Sequence, residues 1–390
     1  MLWHILTGEY EPTPGGVSDY TALVARGLAR AGDQVHVWTP SPGADGSDAD
    51  GVVAHRLPDH FGPRALAALS SHLRADTAPR RVLVQYVPQA FGWKGSNLGV
   101  CLWLRAQRRE SIWVMFHEVA QPIGWTHTWL HNGLGLVTHG MAAIVAGSAE
   151  RIFVSTPAWT PRLRTLCHRD TPIGWLPVPS VIPPIAPRCG RVSAEVGVIR
   201  ERFAGGRPLV GHFGTFGSLM TPCLFGTLAC LAQNTGARFV LFGRGSDVAA
   251  RRAVERFPVL ERRVHGAGAL PSAEVSHYLS ACDVLLQPYP DGVTSRRTSV
   301  MAALAHGRPV VTSAGPLTEP LWHQSAGVCL APAGDAVALA AAVSAVLDDP
   351  NQSVRLAREA LAIYDTHFHI RHTIAALRAS HLSACGAPPA

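Results

Sequence analysis

Residues 283–311 read DVLLQPYPDGVTSRRTSVMAALAHGRPVV. The apolar run that ends at Gln287 has the length of one buried strand, and a loop rich in Pro, Asp and Gly follows it. Arg296 and Arg297 then open a helical stretch that Gly307 closes, ahead of a second apolar run from Pro309 to Val311. Strand, loop, helix and strand in this order make the βαβ unit of a parallel sheet, so the fold class is α/β. Two arginines at a helix N-terminus oppose the helix dipole, which favours acids there; an anion held between them and the free N–H groups removes the conflict. The plainer alternative is that one arginine pairs with Asp291 while the other is solvated.

The same alternation extends both ways from this segment. Strands are expected near 208–213, 238–242, 263–265 and 309–312, each followed by a loop and a helical pattern. In the first half, residues 2–7 (LWHILT) form an apolar run ended by a loop with Pro12, Pro14, Gly15 and Gly16. A helical stripe of Val17, Tyr20, Leu23, Val24 and Leu28 follows, stopped by Gly32 before a strand at 34–38. Apolar runs at 82–87, 112–116 and 152–155 alternate with helical stretches at 64–74 and 97–108. Leu176–Pro187 (LPVPSVIPPIAP) cannot continue a helix or a central strand and reads as a semi-rigid connector. Two α/β domains are therefore expected, 1–187 and 188–365.

Composition agrees with a globular chain of that size: 390 residues, 47% hydrophobic and 16% charged. The net charge of +7 is spread along the chain and carried almost wholly by arginine, Lys94 being the only lysine, so no nucleic-acid arm is expected. Eight cysteines lie far apart with no Cys-x-x-Cys pair, which fits a reducing, cytoplasmic setting. The opening residues read as a buried strand and not as a signal peptide. Residues 119–149 carry no formal charge, but Pro122, Gly124, His127, His131, Asn132, Gly133 and His139 interrupt them, which leaves at most a peripheral contact with a membrane.

Ligands in such sheets sit beyond the carboxyl ends of the strands, so the loops there are the candidates. Gly15-Gly16 precedes a helix and lets a ligand approach backbone, or makes a plain tight turn. GHFGTFGS brings Gly211, Gly214 and Gly217 after a strand, and FGRGSD flanks Arg244 with Gly243 and Gly245. Neither the Gly-x-Gly-x-x-Gly spacing nor a P-loop is present at these positions. The aspartates of 43–51 lack calcium-loop spacing, and His127 with His131 lacks a third ligand, so no metal is expected.

Taken together, the Gly-Gly loop, His117 in FHE, the Pro-rich connector, FGRG and PYPDG…MAALAHGRPVV resemble GT-B glycosyltransferases of the GT4-like group over nearly the whole chain. The resemblance implies two Rossmann-like domains facing across a cleft, with the acceptor on 1–187 and a nucleotide-sugar on 188–365. It further implies a final helix, about 366–382, that returns to the first domain. No cofactor is implied, the nucleotide-sugar being a substrate. The departures are specific. Aligned on Gly307 and Pro309, the family's Glu-x7-Glu pair falls on Thr294 and Ala302, and its Arg and Lys near Thr215 and Met220.

A leaving diphosphate still requires cations, because charge builds on it as the glycosidic bond breaks. Arg296 and Arg297, with Arg244, are the expected substitutes, beside Gly15, Gly16, Gly214 and Thr215. Asp291, Glu319 and Thr294 are the candidates for the sugar or ribose contact. By resemblance His117 touches the donor sugar, and Trp125 and Trp129 offer faces to an acceptor. Asp19, Glu9 or Glu11 would be the base if the reaction inverts; the resemblance implies retention, in which the departing phosphate takes the acceptor proton. The acceptor class is a glycan, a lipid-linked sugar or a small natural product. The alternatives are an inactive sugar-nucleotide-binding or glycan-binding relic and another GT-B enzyme such as an epimerase. A phosphorylase is excluded because Lys94 lies in the first half, away from any pyridoxal phosphate position.

Overall fold

A computed structural model describes all residues except 49, 76–77, 93–94, 108, 126–127, 186–193 and 380–390. The described chain forms two compact α/β units, Met1–Pro177 with the helix Ile370–Arg378, and Val178–His369.

The first unit holds strands β1 (Leu2–Thr7), β2 (Gln34–Thr39), β3 (Gly46–Ser47), β4 (Val53–Arg56), β5 (Arg80–Tyr86), β6 (Ile112–Phe116), β7 (Arg151–Val154) and β8 (Ile173–Trp175). They lie in the order β3-β4-β2-β1-β5-β6-β7-β8, all parallel except the short β3–β4 pair. The second unit holds β9 (Leu209–Phe213), β10 (Arg238–Phe242), β11 (Val264–Gly266), β12 (Val284–Gln287), β13 (Val310–Ala314) and β14 (Cys329–Pro332), ordered β11-β10-β9-β12-β13-β14 and parallel throughout. The continuous apolar runs in the sequence are central strands, covered on both faces by helices.

Strand order fixes where each unit can bind. In the second, the chain winds from β9 outward through β10 and β11, then returns to β12 beside β9 and winds the other way. Consecutive crossovers therefore leave on opposite faces at β9 and β12, and their following loops flank a crevice. In the first unit the corresponding point lies between β1 and β5.

Three sequence expectations change. The stretch 176–187 is not a free connector along its described length. The Val178 N–H donates to the Ser295 carbonyl at 3.1 Å, the Ser180 N–H to the Tyr364 hydroxyl at 3.2 Å, and Ser276 Oγ to the Pro183 carbonyl at 3.0 Å. Its prolines lack N–H groups, and these three bonds tie polar groups of its backbone to the second unit. The units accordingly divide after Pro177, and the expected boundary at 187 falls outside the described residues. Secondly, β9 runs through Phe213, so Gly211 is a strand residue; a side chain there would collide with Cys282. Thirdly, the closing helix spans Ile370–Arg378. Its Leu377 carbonyl accepts from Arg81 at 2.9 Å and Arg378 Nε pairs with buried Asp33 at 3.1 Å, while Ile374 packs where Gly27 lacks a side chain.

Candidate functional site

The crevice of the second unit gathers several of the expected residues. The helix after β12 begins at Thr298 and ends at Ala305, with Arg297 as a cap residue whose side chain does not cap. Its first N–H groups have no partner within the helix. Both arginines instead converge on one carboxylate: Arg297 Nη2 contacts Asp291 Oδ1, and Arg296 Nη2 lies 3.6 Å from Asp291 Oδ2. The Arg297 guanidinium also lies over the Tyr289 ring, 4.4 Å from its centre. The alternative in which one arginine is solvated is thus replaced by a shared acid.

Tyr289 ties this loop to the rest of the crevice. Its hydroxyl is 2.6 Å from Ser299 Oγ and 3.4 Å from Gln287 Oε1, and burial pushes its pKa up to about 12, so it stays a neutral hydroxyl. Gln287 Nε2 donates to the Phe213 carbonyl at 3.0 Å, joining the ends of β9 and β12. Gly214 follows, with φ 151°, and a side chain there would stand 3.8 Å from both Ser299 Oγ and His212 Nε2. Gly243, at φ 113°, packs so closely that a Cβ would drive into the Gly214 carbonyl.

His212 was not among the expected residues. Its Nδ1–H donates to the Leu286 carbonyl at 2.7 Å, burial lowers its pKa to about 4, and the neutral ring leaves Nε2 as a buried acceptor without a partner. The only available sequence signal was a histidine one residue from the strand end in GHFG. Thr215 and Arg244 are exposed on the loops after β9 and β10.

Two candidates are placed elsewhere. Glu319 is buried, and its carboxylate accepts from Ser295 N–H at 2.8 Å, Ser295 Oγ at 2.7 Å and Trp322 Nε1. It clamps the arginine loop from behind, with three donors on its two oxygens. Thr294, in the same loop as Ser295, is likewise fully buried.

In the first unit, Gly15 is extended at φ 178° and Gly16 starts the helix Gly16–Arg30. Gly16 has no positive φ and open space around its Cβ position, which removes the tight-turn reading. Asp19 lies in the first turn of that helix. Its pKa is raised by desolvation and then by Glu11 and Glu9. Glu11 is engaged by Arg26 at 2.5 Å.

His117 follows β6 and is nearly buried. Its Nε2 lies 2.8 Å from Gln85 Oε1, the Tyr20 ring meets it edge-on at 4.9 Å, and desolvation lowers its pKa to about 4. It is a neutral imidazole, a hydrogen-bonding group and not a cation. Trp125 and Trp129 are exposed at the start of the helix Trp129–Ser148, and His127 lies outside the described residues. Among the described residues no three His, Cys, Asp or Glu side chains are grouped to hold a metal, and no helix is long and apolar enough to cross a membrane.

Comparison with known proteins supports the same architecture. Residues 220–349 match the family model described as Glycosyl transferases group 1. Among solved structures, sucrose-phosphate synthase from Thermosynechococcus elongatus superposes with a TM-score of 0.73 at 18% identity, covering 97% of each chain. HepE from Anabaena, in complex with UDP and glucose, gives 0.68 at 16% identity over 96% of this chain and 97% of that one. The α,α-trehalose 6-phosphate synthase of Burkholderia multivorans gives 0.63 at 13% identity over 94% of each. No curated protein matches by sequence. Residues 220–349 thus match the glycosyl transferases group 1 model, within a two-unit α/β fold that the chain shares with these structures.

Proposed function

We propose that this protein transfers a sugar from a nucleoside diphosphate sugar to an acceptor hydroxyl, with the donor diphosphate seated at the β9/β12 crevice. The observation that carries the reading is the convergence of Arg296 and Arg297 on Asp291, ahead of a helix N-terminus without a side-chain cap. Two guanidiniums held by one acid, at the N-terminus of that helix, form a site for a dianion. As the glycosidic bond breaks, its electron pair goes to the diphosphate oxygen, and the arginines and helix N–H groups stabilise that charge. The Gly214 loop supplies close backbone approach, with Thr215 and Arg244 on the rim. The UDP complex of a structural relative, HepE, supports a nucleotide donor.

The Gly15-Gly16 loop and His117 belong to the acceptor-side unit, with His117 acting as a neutral hydrogen-bonding group towards the sugar. Transfer with retention lets the leaving phosphate accept the acceptor proton; under inversion Asp19, whose pKa is raised, is the base. The acceptor is a carbohydrate, a lipid-linked sugar or a small molecule, and the chemistry invokes no metal or cofactor.

A second reading, a binding protein without turnover, is favoured by Thr294 and Ala302 standing where the family has glutamates. A thermal-shift screen with UDP, GDP, ADP and dTDP sugars identifies the donor, since a ligand of the folded state raises the melting temperature. Product formation with an acceptor panel then separates the readings: binding without turnover under every pairing supports the binding protein. The anomeric proton signal of fresh product reports retention or inversion.

A further inference from the structure

The helix that follows the two arginines, Thr298–Ala305, ends on a histidine. His306 is its C-cap residue, and the ring Nδ1 lies 2.7 Å from the Ala302 carbonyl at that end of the helix. The other ring nitrogen, Nε2, lies 2.7 Å from Ser276 Oγ on the helix Ser272–Ala281, and that hydroxyl reaches the Pro183 carbonyl at 3.0 Å. The Pro-rich stretch is thus tied at both ends of one helix. Val178 N–H holds the Ser295 carbonyl ahead of the first turn, and Pro183 is joined through Ser276 to the last.

The second tie depends on a proton. Three contacts in a row need three hydrogens, and a neutral imidazole with one hydroxyl brings two. The Ala302 carbonyl only accepts, so the neutral ring carries its hydrogen on Nδ1 and presents a lone pair at Nε2. Ser276 then has one hydrogen for two acceptors, Nε2 and the Pro183 carbonyl. An imidazolium supplies the third: Nδ1–H donates to Ala302, Nε2–H to Ser276, and Ser276 to Pro183.

The carbonyl end of a helix favours a cation, and so does the bond to Ala302. Around the ring, Ser272–Ala281 carries Glu274 and His277, and Pro350–Ile363 with the turn after it carries Arg355, Asp365 and His367, Arg358 being paired with Glu359. The charge that acts on the ring is Arg308 of its own loop. Burial, and after it Arg308, oppose the proton and lower the pKa to about 4. The ring is therefore neutral at pH 7, one hydrogen short.

We propose that His306 and Ser276 form an acid-operated latch, which fastens Pro183 to the carbonyl end of Thr298–Ala305 when the imidazole is protonated. At neutral pH Ser276 gives its hydrogen to Nε2, and the carbonyl of Pro183, an exposed residue, is left to solvent. The inference stands on these bonds and does not depend on the transferase reading.

NMR of protein labelled with nitrogen-15 in histidine and carbon-13 in the proline carbonyl tests it, on wild type and Ser276→Ala with matched melting temperatures at pH 7. His306 should carry its hydrogen on Nδ1 at pH 7 and take up a proton in acid while the protein is folded. Ser276→Ala should lower the ring's pKa by about 0.5 or more, because the imidazolium loses a charge-assisted acceptor. The Pro183 carbonyl signal should follow the same titration in the wild type and stay still in the variant. A pKa that is unchanged or raised by Ser276→Ala would overturn the latch, since the hydroxyl would then serve the neutral ring. So would a hydrogen on Nε2 at pH 7, a Pro183 signal that does not move, or a ring that stays neutral until acid unfolds the protein.

Discussion

Asp291→Asn separates two roles for the acid between the arginines. If the guanidiniums are the diphosphate site, Asp291 occupies it in the unliganded protein, and an incoming diphosphate must displace or outcompete the carboxylate. Across 3.6 Å and an effective dielectric constant of about 20, one such ion pair attracts by about 5 kcal/mol before desolvation and screening. The arginine side chains are 23% exposed and that of Asp291 30%. The net value is therefore closer to that of a surface pair, about 1 kcal/mol for each arginine. Removing the charge while keeping the shape should release about 1–2 kcal/mol and tighten binding by about 5- to 30-fold. Calorimetric titration of UDP, GDP and ADP into wild type and Asp291→Asn reads this directly. If Asp291 instead contacts ribose or sugar, the variant should bind more weakly, and a weaker or unchanged affinity would refute the placeholder reasoning.

Other consequences can be checked on single samples. Gly16→Ala should change stability by less than about 1 kcal/mol, because the residue is helical with open space around it. Transfer should nevertheless fall steeply if ligand approaches the backbone there; a stable, fully active variant would remove this loop from the site. Glu319→Ala strands the Ser295 N–H, Ser295 hydroxyl and Trp322 N–H in the interior, and should cost about 3 kcal/mol or more in urea unfolding. An unchanged midpoint would contradict the clamp. His117, His212 and His306 each have a pKa near 4 in the fold against 6.5 in the open chain. The unfolded state therefore binds more protons between those values, and stability should fall as pH drops from about 6.5 to 4, by up to about 3 kcal/mol for each histidine. A flat stability profile across that window would rule this out.

Residues 283–311 made the fold legible because each physical signal agreed: an apolar strand, a loop of Pro, Asp and Gly, a helix closed by Gly307, and another strand. The strand-end loops followed from the same pattern, which is why Gly214, Gly243 and the arginines were found in one crevice. Roles that depend on long-range pairing were not legible. Asp291 stands within six residues of both arginines, yet only the loop conformation decides that it holds them together. Glu319 read as a candidate sugar or ribose contact, because Trp322 and Ser295, its donors, are apparent only once the loop folds over it. His212 gave almost no signal, since a strand-end histidine looks alike whether its second nitrogen is satisfied or orphaned. The Pro-rich stretch read as a connector because its sequence shows which hydrogen bonds it cannot make, and not which partners its remaining groups find.

The account turns on whether Arg296 and Arg297 bind the donor diphosphate. Titrating the preferred nucleoside diphosphate into wild type and into Arg296→Ala/Arg297→Ala, with matched melting temperatures, measures this. Loss of two charge-assisted contacts should weaken binding by about a hundredfold or more. An affinity equal to that of wild type would place the diphosphate elsewhere and contradict the assignment of this crevice.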